Sequence, residues 1–147
     1  GISSINSISL LSLEGSGMVG IPGFSKRLFE ALTHEKINVI LITQSSSEHS
    51  ICVAINESDT LKAKRSIDAA FHIEIITGKV EPLSVETNLS ILALVGEQMK
   101  SHPGISGKMF GSLGRNGINV RAIAQGSSEK NISAVIASRD VKKAINV

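Results

Sequence analysis

The chain has 147 residues, 41% hydrophobic and 19% charged, with a net charge of +2 and a pI near 8.8. That length holds one compact domain or two very small ones, and the slight basic excess is scattered, with no block of like charge to point to nucleic acid or an anionic membrane. Four Phe with no Trp or Tyr leave little for stacking on bases, and the single cysteine, Cys52, excludes an internal disulfide.

No apolar run reaches the roughly 18 residues that span a bilayer. The start, Gly1-Ile2-Ser3-Ser4, lacks the basic region of a signal peptide and reads as a fragment of a longer, cytoplasmic protein.

The first strand is expected over Ile8 to Leu13, which alternates apolar and polar residues. A Gly-rich loop follows, and Pro22-Gly23 opens a helix whose apolar stripe is Phe24, Leu28, Ala31 and Leu32. The β-branched run Ile37 to Thr43 predicts a second strand. A polar turn leads to a third strand, in which Ile51, Val53 and Ile55 alternate with Cys52 and Ala54. Ser58 is a candidate N-cap for a second helix with Leu61, Ile67, Ala70 and Phe71 inward, and Ile73 to Ile76 reads as a fourth strand.

The same order then recurs, 81 positions along and without a gap. Ser9 falls on Ser90, Gly15 on Gly96, Pro22-Gly23 on Pro103-Gly104, Ile37-Asn38-Val39 on Ile118-Asn119-Val120, and Ser46-Ser47-Glu48 on Ser127-Ser128-Glu129. Leu89 to Val95, the stripe Ile105, Met109, Phe110 and Leu113, Ile118 to Ile123 and Ile132 to Ile136 repeat the elements, with Ser138 as the second N-cap. The second copy ends inside its second helix, so its fourth strand is missing or supplied otherwise. Gly78 to Asn88 joins the copies and has the makings of a further strand. A βαββαβ unit occurring twice predicts an α+β protein of two ferredoxin-like modules, residues 1–80 and 81–147, each an antiparallel sheet with helices on one face. The open sheet faces call for cover by the paired module or by a second chain.

Three motifs bear on chemistry. Gly15-Ser16-Gly17-Met18-Val19-Gly20 fits a dinucleotide fingerprint. The second copy, however, puts Gln98 and Ser101 where Gly17 and Gly20 stand, no acid ends the next strand, and a hairpin stands where a crossover helix belongs. The loop reads better as a turn whose backbone N–H groups and helix N-terminus face a small carboxylate. Gln44 and Gln125, each leading into Ser-Ser-Glu, offer a donor and an acceptor in register in both copies. An ordinary polar hairpin turn explains Ser and Glu there, but not the retention of all four residues while their neighbours drift. Asn38 and Asn119 stand at strand entries, as turn residues or as ligand contacts. The four histidines share no spacing with acids or Cys52, so neither a metal nor a catalytic residue is expected, and Cys52 reads as a core residue.

Strand, Pro-Gly helix start, I-N-V, I-x-Q-x-S-S-E, strand, helix, twice in a row, resembles the tandem ACT modules at the regulatory end of aspartokinase. Over Ile37 to Glu48 and Val120 to Ser133 it is most similar to the bifunctional aspartokinase–homoserine dehydrogenase branch. The resemblance implies a parent enzyme that phosphorylates the side-chain carboxylate of aspartate, with its kinase domain before Gly1 and any dehydrogenase after Val147. ATP and Mg would belong to that absent kinase domain, so no cofactor is expected here. It also implies an end-product amino acid bound by Gly15, Ser16, Gly17, Met18, Gly23, Phe24, Asn38, Val39 and Gln44. In the second copy the contacts would be Met99, Gly104, Ile105, Asn119, Val120 and Gln125. Lysine-sensing relatives place an acid just after the strand-opening Asn-Val or Ser-Val; here Ile40 and Arg121 stand there, which favours threonine as effector, with lysine the alternative. Relatives exchange elements between modules, the second being inserted into the first, and pair as homodimers, which softens the 80/81 boundary. Two other readings stand beside this one: an assembly module with decayed pockets, and a nucleotide-dependent enzyme using the Gly15 to Gly20 loop.

Overall fold

The computed structural model describes residues 2–16, 23–43, 50–95, 105–125 and 131–146, with the backbone alone at 95, 105–107, 125 and 131. The elements are β1 (Ile2–Glu14), α1 (Phe24–His34), β2 (Val39–Thr43), β3 (Ser50–Asn56), α2 (Thr60–Ala70), α3 (His72–Ile76), β4 (Ser84–Val95), α4 (Ile105–Arg115), β5 (Ala122–Gln125), β6 (Asn131–Ala137) and α5 (Val141–Ile145). They fall into two compact units: a continuous one, Ser9–Thr87, and a split one made of Gly1–Ile8 and Asn88–Val147. In sequence the first copy is therefore the inserted one, the reverse of the order the resemblance implied. β1 and β4 each begin in one unit and end in the other.

Within the continuous unit the strand order is β2-β3-β1-β4, and within the split unit it is β5-β6-β4-β1. β2 and β3 pair antiparallel with Thr43 opposite Cys52, and β5 and β6 repeat this with Ala124 opposite Ser133. β4 and β6 pair antiparallel from Leu89–Ala137 to Val95–Asn131. Each unit is thus a βαββαβ sandwich of the ferredoxin-like kind, α+β as expected. The fourth strand that the second copy lacks comes from the first half of β1.

The core of the continuous unit follows from the two periodicities. Leu11 and Leu13 of β1, and Ile51, Val53 and Ile55 of β3, face Phe24, Leu28 and Leu32 of α1 and Ala63, Ile67 and Phe71 from α2 and its C-terminus. Each large side chain buried this way is worth roughly 1.5–3 kcal/mol. Cys52 and Ala54 are buried as well, and Cys52 Sγ lies 3.1 Å from Ser12 Oγ. Among the described residues, Leu92, Leu113, Ile118, Ile136 and Ala144 form a core cluster of the split unit.

Two buried hydroxyls at equivalent positions tie strand to helix. Ser9 and Ser90 are both fully buried. Ser9 Oγ lies 2.6 Å from Thr60 Oγ1, which also bonds the Glu57 carbonyl at 2.7 Å. Ser90 Oγ bonds Asn6 Oδ1 and Ser138 Oγ, both at 2.9 Å. Burial of these hydroxyls is tolerated because each has a partner.

Three expectations need correction. Ile73 to Ile76 is not a strand but the short helix α3, closed by the bonds Ile75 N–H to Phe71 O and Thr77 N–H to Ile73 O. Ser58 and Ser138 are not helix N-caps: they lie inside 3₁₀ turns, Glu57–Asp59 and Ser138–Asp140, and Asp59 and Asp140 take the cap positions without a side-chain bond. Leu61 does not face inward; it is 71% exposed, because a helix starting at Thr60 turns Ala63 and Ile67, four apart, toward the sheet.

Candidate functional site

Of the residues singled out, Gly15 and Ser16 follow β1, Gly23 and Phe24 stand at the start of α1, Asn38 and Val39 at the entry to β2, and Asn119 and Val120 before β5. Gly15 follows β1, where the Glu81 N–H bonds the Glu14 carbonyl at 2.7 Å and draws the backbone of Lys79 and Val80 alongside. A Cβ on Gly15 would fall 2.5 Å from Val80 Cα and collide with the Lys79 carbonyl oxygen. The glycine is thus required by a close backbone approach. Ser16 beside it is exposed.

Gly23, at φ +83°, is the N-cap of α1; it is exposed and gives no side-chain cap. Neither α1 nor α4 carries an acid in its first turn. The partial positive charge of such a turn is left for an outside carboxylate. Phe24 turns its ring inward, 4% exposed and stacked on Phe71 at 4.6 Å between centroids, so what it can offer a ligand is its backbone.

Both helices end in the same tight reversal. In the continuous unit Lys36 N–H bonds Thr33 O and Ile37 N–H bonds Leu32 O, with Lys36 at φ +58°. In the split unit Gly117 N–H bonds Gly114 O and Ile118 N–H bonds Leu113 O, with Gly117 at φ +71°. The reversal buries Ile37 and Ile118 and leaves Asn38 and Asn119 exposed at the strand entries, while Val39 and Val120 pack half-buried on the two cores. The structure therefore sets Asn38 outward and Phe24 and Val39 in one cluster, and repeats the outward Asn and inward Val in the second unit. Arg121 bonds the Asn119 carbonyl through Nη1 at 2.7 Å, and its own N–H bonds Val135 O at 2.7 Å. A guanidinium therefore stands beside this strand entry. Gly17, Met18, Gln44, Met99 and Gly104 lie outside the described residues, as do the side chains of Ile105 and Gln125 and the two Ser-Ser-Glu segments. The Gln125 backbone closes β5 opposite Ile132.

A feature with no signal in the local sequence pattern braces the start of α1. Arg27 sets its guanidinium over the Phe71 ring at 4.6 Å, bonds Glu74 Oε2 at 2.5 Å and caps the Ala70 carbonyl at 2.6 Å. The Arg27 hydrogen bond holds the Glu74 carboxyl below its ordinary pKa against the opposing effect of burial, and Glu74 in turn raises Arg27. Reading Ile73 to Ile76 as a strand hides Glu74; a helical reading sets it within reach of α1. Among the described residues no group of three His, Cys, Asp or Glu side chains comes together, and no helix is long and apolar enough to cross a membrane.

The ACT domain family matches residues 11–71 and 92–147. The bifunctional aspartokinase/homoserine dehydrogenase of Daucus carota, named as chloroplastic, is 41% identical over 99% of this chain, which spans 16% of that protein. The ligand-free regulatory subunit of aspartate kinase from Thermus thermophilus superposes with a TM-score of 0.81 at 21% identity, covering 99% of this chain and 93% of that one. The E. coli aspartokinase III complex with lysine and aspartate (T-state) gives 0.75 at 24% identity, over 98% of this chain and 31% of that one. With the family match covering both copies and a βαββαβ unit found twice, the chain belongs to the ACT domain family.

Proposed function

We propose that this chain is the effector-sensing region of an aspartate kinase, binding an end-product amino acid and passing that signal to a kinase domain elsewhere in the protein. The observation that carries it is the pairing of an acid-free helix N-terminus with an outward Asn at a strand entry, in a chain 41% identical to a bifunctional aspartokinase/homoserine dehydrogenase. The helix start suits the ligand carboxylate, and Asn38 with Gln44 suits its ammonium and side-chain hydroxyl. Threonine is the effector this reading favours. Ile40 and Arg121, neither of them an acid, stand at the positions where the resemblance puts a carboxylate to meet lysine's second ammonium. The lysine in the aspartokinase III complex keeps lysine as the alternative. The chain itself carries out no catalysis and needs no cofactor in this reading; ATP and Mg serve the kinase domain. The compartment is the one that houses the parent enzyme, cytoplasmic or, as the carrot relative's name has it, chloroplastic.

Regulation requires that the effector bind one arrangement of the regulatory region better than another, with a coupling of about 1–3 kcal/mol. Calorimetric titration with threonine, lysine and methionine, with mass in solution measured alongside, tests the proposal. Saturable heat with threonine alone, weakened by Gln44→Ala or Gln125→Ala in a folded chain, is expected. Heat with lysine alone overturns the choice of effector. No heat from any of the three, with a stable dimer, favours the second reading, an assembly module, for which the half-exposed Ile42 and Ile123 on the equivalent strands β2 and β5 speak.

A further inference from the structure

In the continuous unit the two flanks of the expected effector contacts, Gly15 after β1 and Gly23 before α1, are fastened to one residue, Glu74 of α3. On the helix side, the Arg27 N–H bonds the Gly23 carbonyl at 3.0 Å, the first bond of α1, and the Arg27 guanidinium bonds Glu74 Oε2 at 2.5 Å. On the strand side, the Glu74 carbonyl accepts the Lys79 N–H at 2.9 Å and the Val80 N–H at 3.1 Å. It is this Lys79–Val80 backbone that lies against Gly15, and Glu81 beyond it bonds the end of β1. The connecting segment is itself held. Phe71 and Val80, at its two ends, are buried in the core that contains Phe24, and Gly78, at φ +76°, reverses the chain between them. α3 also turns the wrong residues outward for simple apolar burial. Ile73 and Ile76 are 72% and 68% exposed, while the Glu74 side chain is 15% exposed. Acids are seldom sheltered in this way unless a partner holds them.

We propose, resting on the effector site assigned above, that Arg27 and Glu74 are a positioning pair for the effector: together they fix the spacing between the Gly15 turn and the start of α1, without touching the ligand themselves. A ligand carboxylate drawn to the helix start while its ammonium meets the opposite flank requires both flanks at one separation. A site held at that separation beforehand loses less of its binding energy to ordering. The planar fork of Arg27 suits the task, because it reaches the Glu74 carboxylate and the Ala70 carbonyl at once while lying over the Phe71 ring.

The test titrates the unaltered chain, Glu74→Gln, Arg27→Met and the double variant with threonine, and with lysine in parallel, by calorimetry at a temperature where circular dichroism shows all of them folded. Ile67→Val, which trims the same core and keeps both members of the pair, is the stability control. Each single variant of the pair is expected to weaken affinity about five- to tenfold, the double variant no more than the worse single one, and Ile67→Val less than about twofold. Without ligand, amide exchange in Glu74→Gln is expected to quicken at Arg27 and Glu81 together, beyond any change at Ile55, and in Ile67→Val at neither. Unchanged affinity in Glu74→Gln overturns the proposal, as does a rise caused by an unpaired Arg27 cation near the helix start, or an additive loss in the double variant. If the unaltered chain binds neither amino acid, the effector site itself is overturned, and the role of the pair with it.

Discussion

Phe71→Ala removes the side chain on which three features of the continuous unit converge. Phe71 is fully buried, stacks on Phe24 at 4.6 Å and carries the Arg27 guanidinium 4.6 Å above its ring. A buried Phe→Ala change costs about 3–5 kcal/mol in transfer and cavity terms. The ring pair adds about 0.5–1.5 kcal/mol and the cation about 0.5–1 kcal/mol, partly within the same total. The expected loss is therefore about 4–5 kcal/mol, near the upper end for a single substitution. Phe71→Leu keeps most of the apolar volume but loses both ring interactions, and is expected to cost about 1–2 kcal/mol. Urea unfolding followed by circular dichroism, with amide exchange read at Leu28 and Ile55, measures both. A loss below about 2 kcal/mol for Phe71→Ala would mean that the pocket under α1 collapses freely and that the Phe24–Phe71–Arg27 stack contributes little.

Glu74→Gln is expected to cost about 1 kcal/mol at neutral pH, the Arg27 partner being 41% exposed and screened. Because the folded carboxyl titrates below its ordinary range, its contribution is present above the unfolded pKa and fades as pH falls through the folded one. Wild type and variant should therefore converge in acid, as urea midpoints across a pH series will show. Lys36→Gly relieves a left-handed residue where the repeat already uses Gly117, and should raise stability by about 0.5–1 kcal/mol in thermal unfolding. A fall in Tm would contradict that geometry. Gly15→Ala drives a methyl into the backbone of Lys79 and Val80 and is expected to cost at least about 2 kcal/mol in urea unfolding. Leu28→Ala should cost about 3 kcal/mol and its counterpart Met109→Ala about 1 kcal/mol, since Met109 borders an open pocket and leaves little new cavity.

Much of this fold could be read from the repeat. A β-branched run after a Pro-Gly helix, met twice in register, carries more information than either run alone, and it placed α1, β2 and β3 and their counterparts. Local pattern misled where it was short. Ile73 to Ile76 is a four-residue apolar run, and such runs are as compatible with a helical turn as with a strand. Its outcome was decided by the Arg27–Glu74 pair and by the bond to Phe71 O, both long in reach or invisible to periodicity. The strand over residues 2–8 was not legible, because its partner strand begins some 80 residues later and no local signal announces that pairing. Of the site, Asn38 and Asn119 stand outward at the strand entries and Gly23 sits bare at its helix start. Gly15 has a backbone reason for being glycine that sequence alone could not separate from ligand contact.

The exchange of strand halves between the units sets an order for synthesis. Ser9–Thr87 is continuous and has all four of its strands once Thr87 has emerged, whereas the split unit must hold Ile2–Ile8 in waiting until Asn88–Val147 arrives. Closing a chain loop of that length from the unfolded state carries an entropic cost that grows with the logarithm of its length. Prior folding of Ser9–Thr87 brings its two ends onto the neighbouring strands β1 and β4, so the split unit inherits a loop already closed. Early folding of the continuous unit thus shortens the search left to the later one, and damage to its core is expected to slow the closing of the split unit.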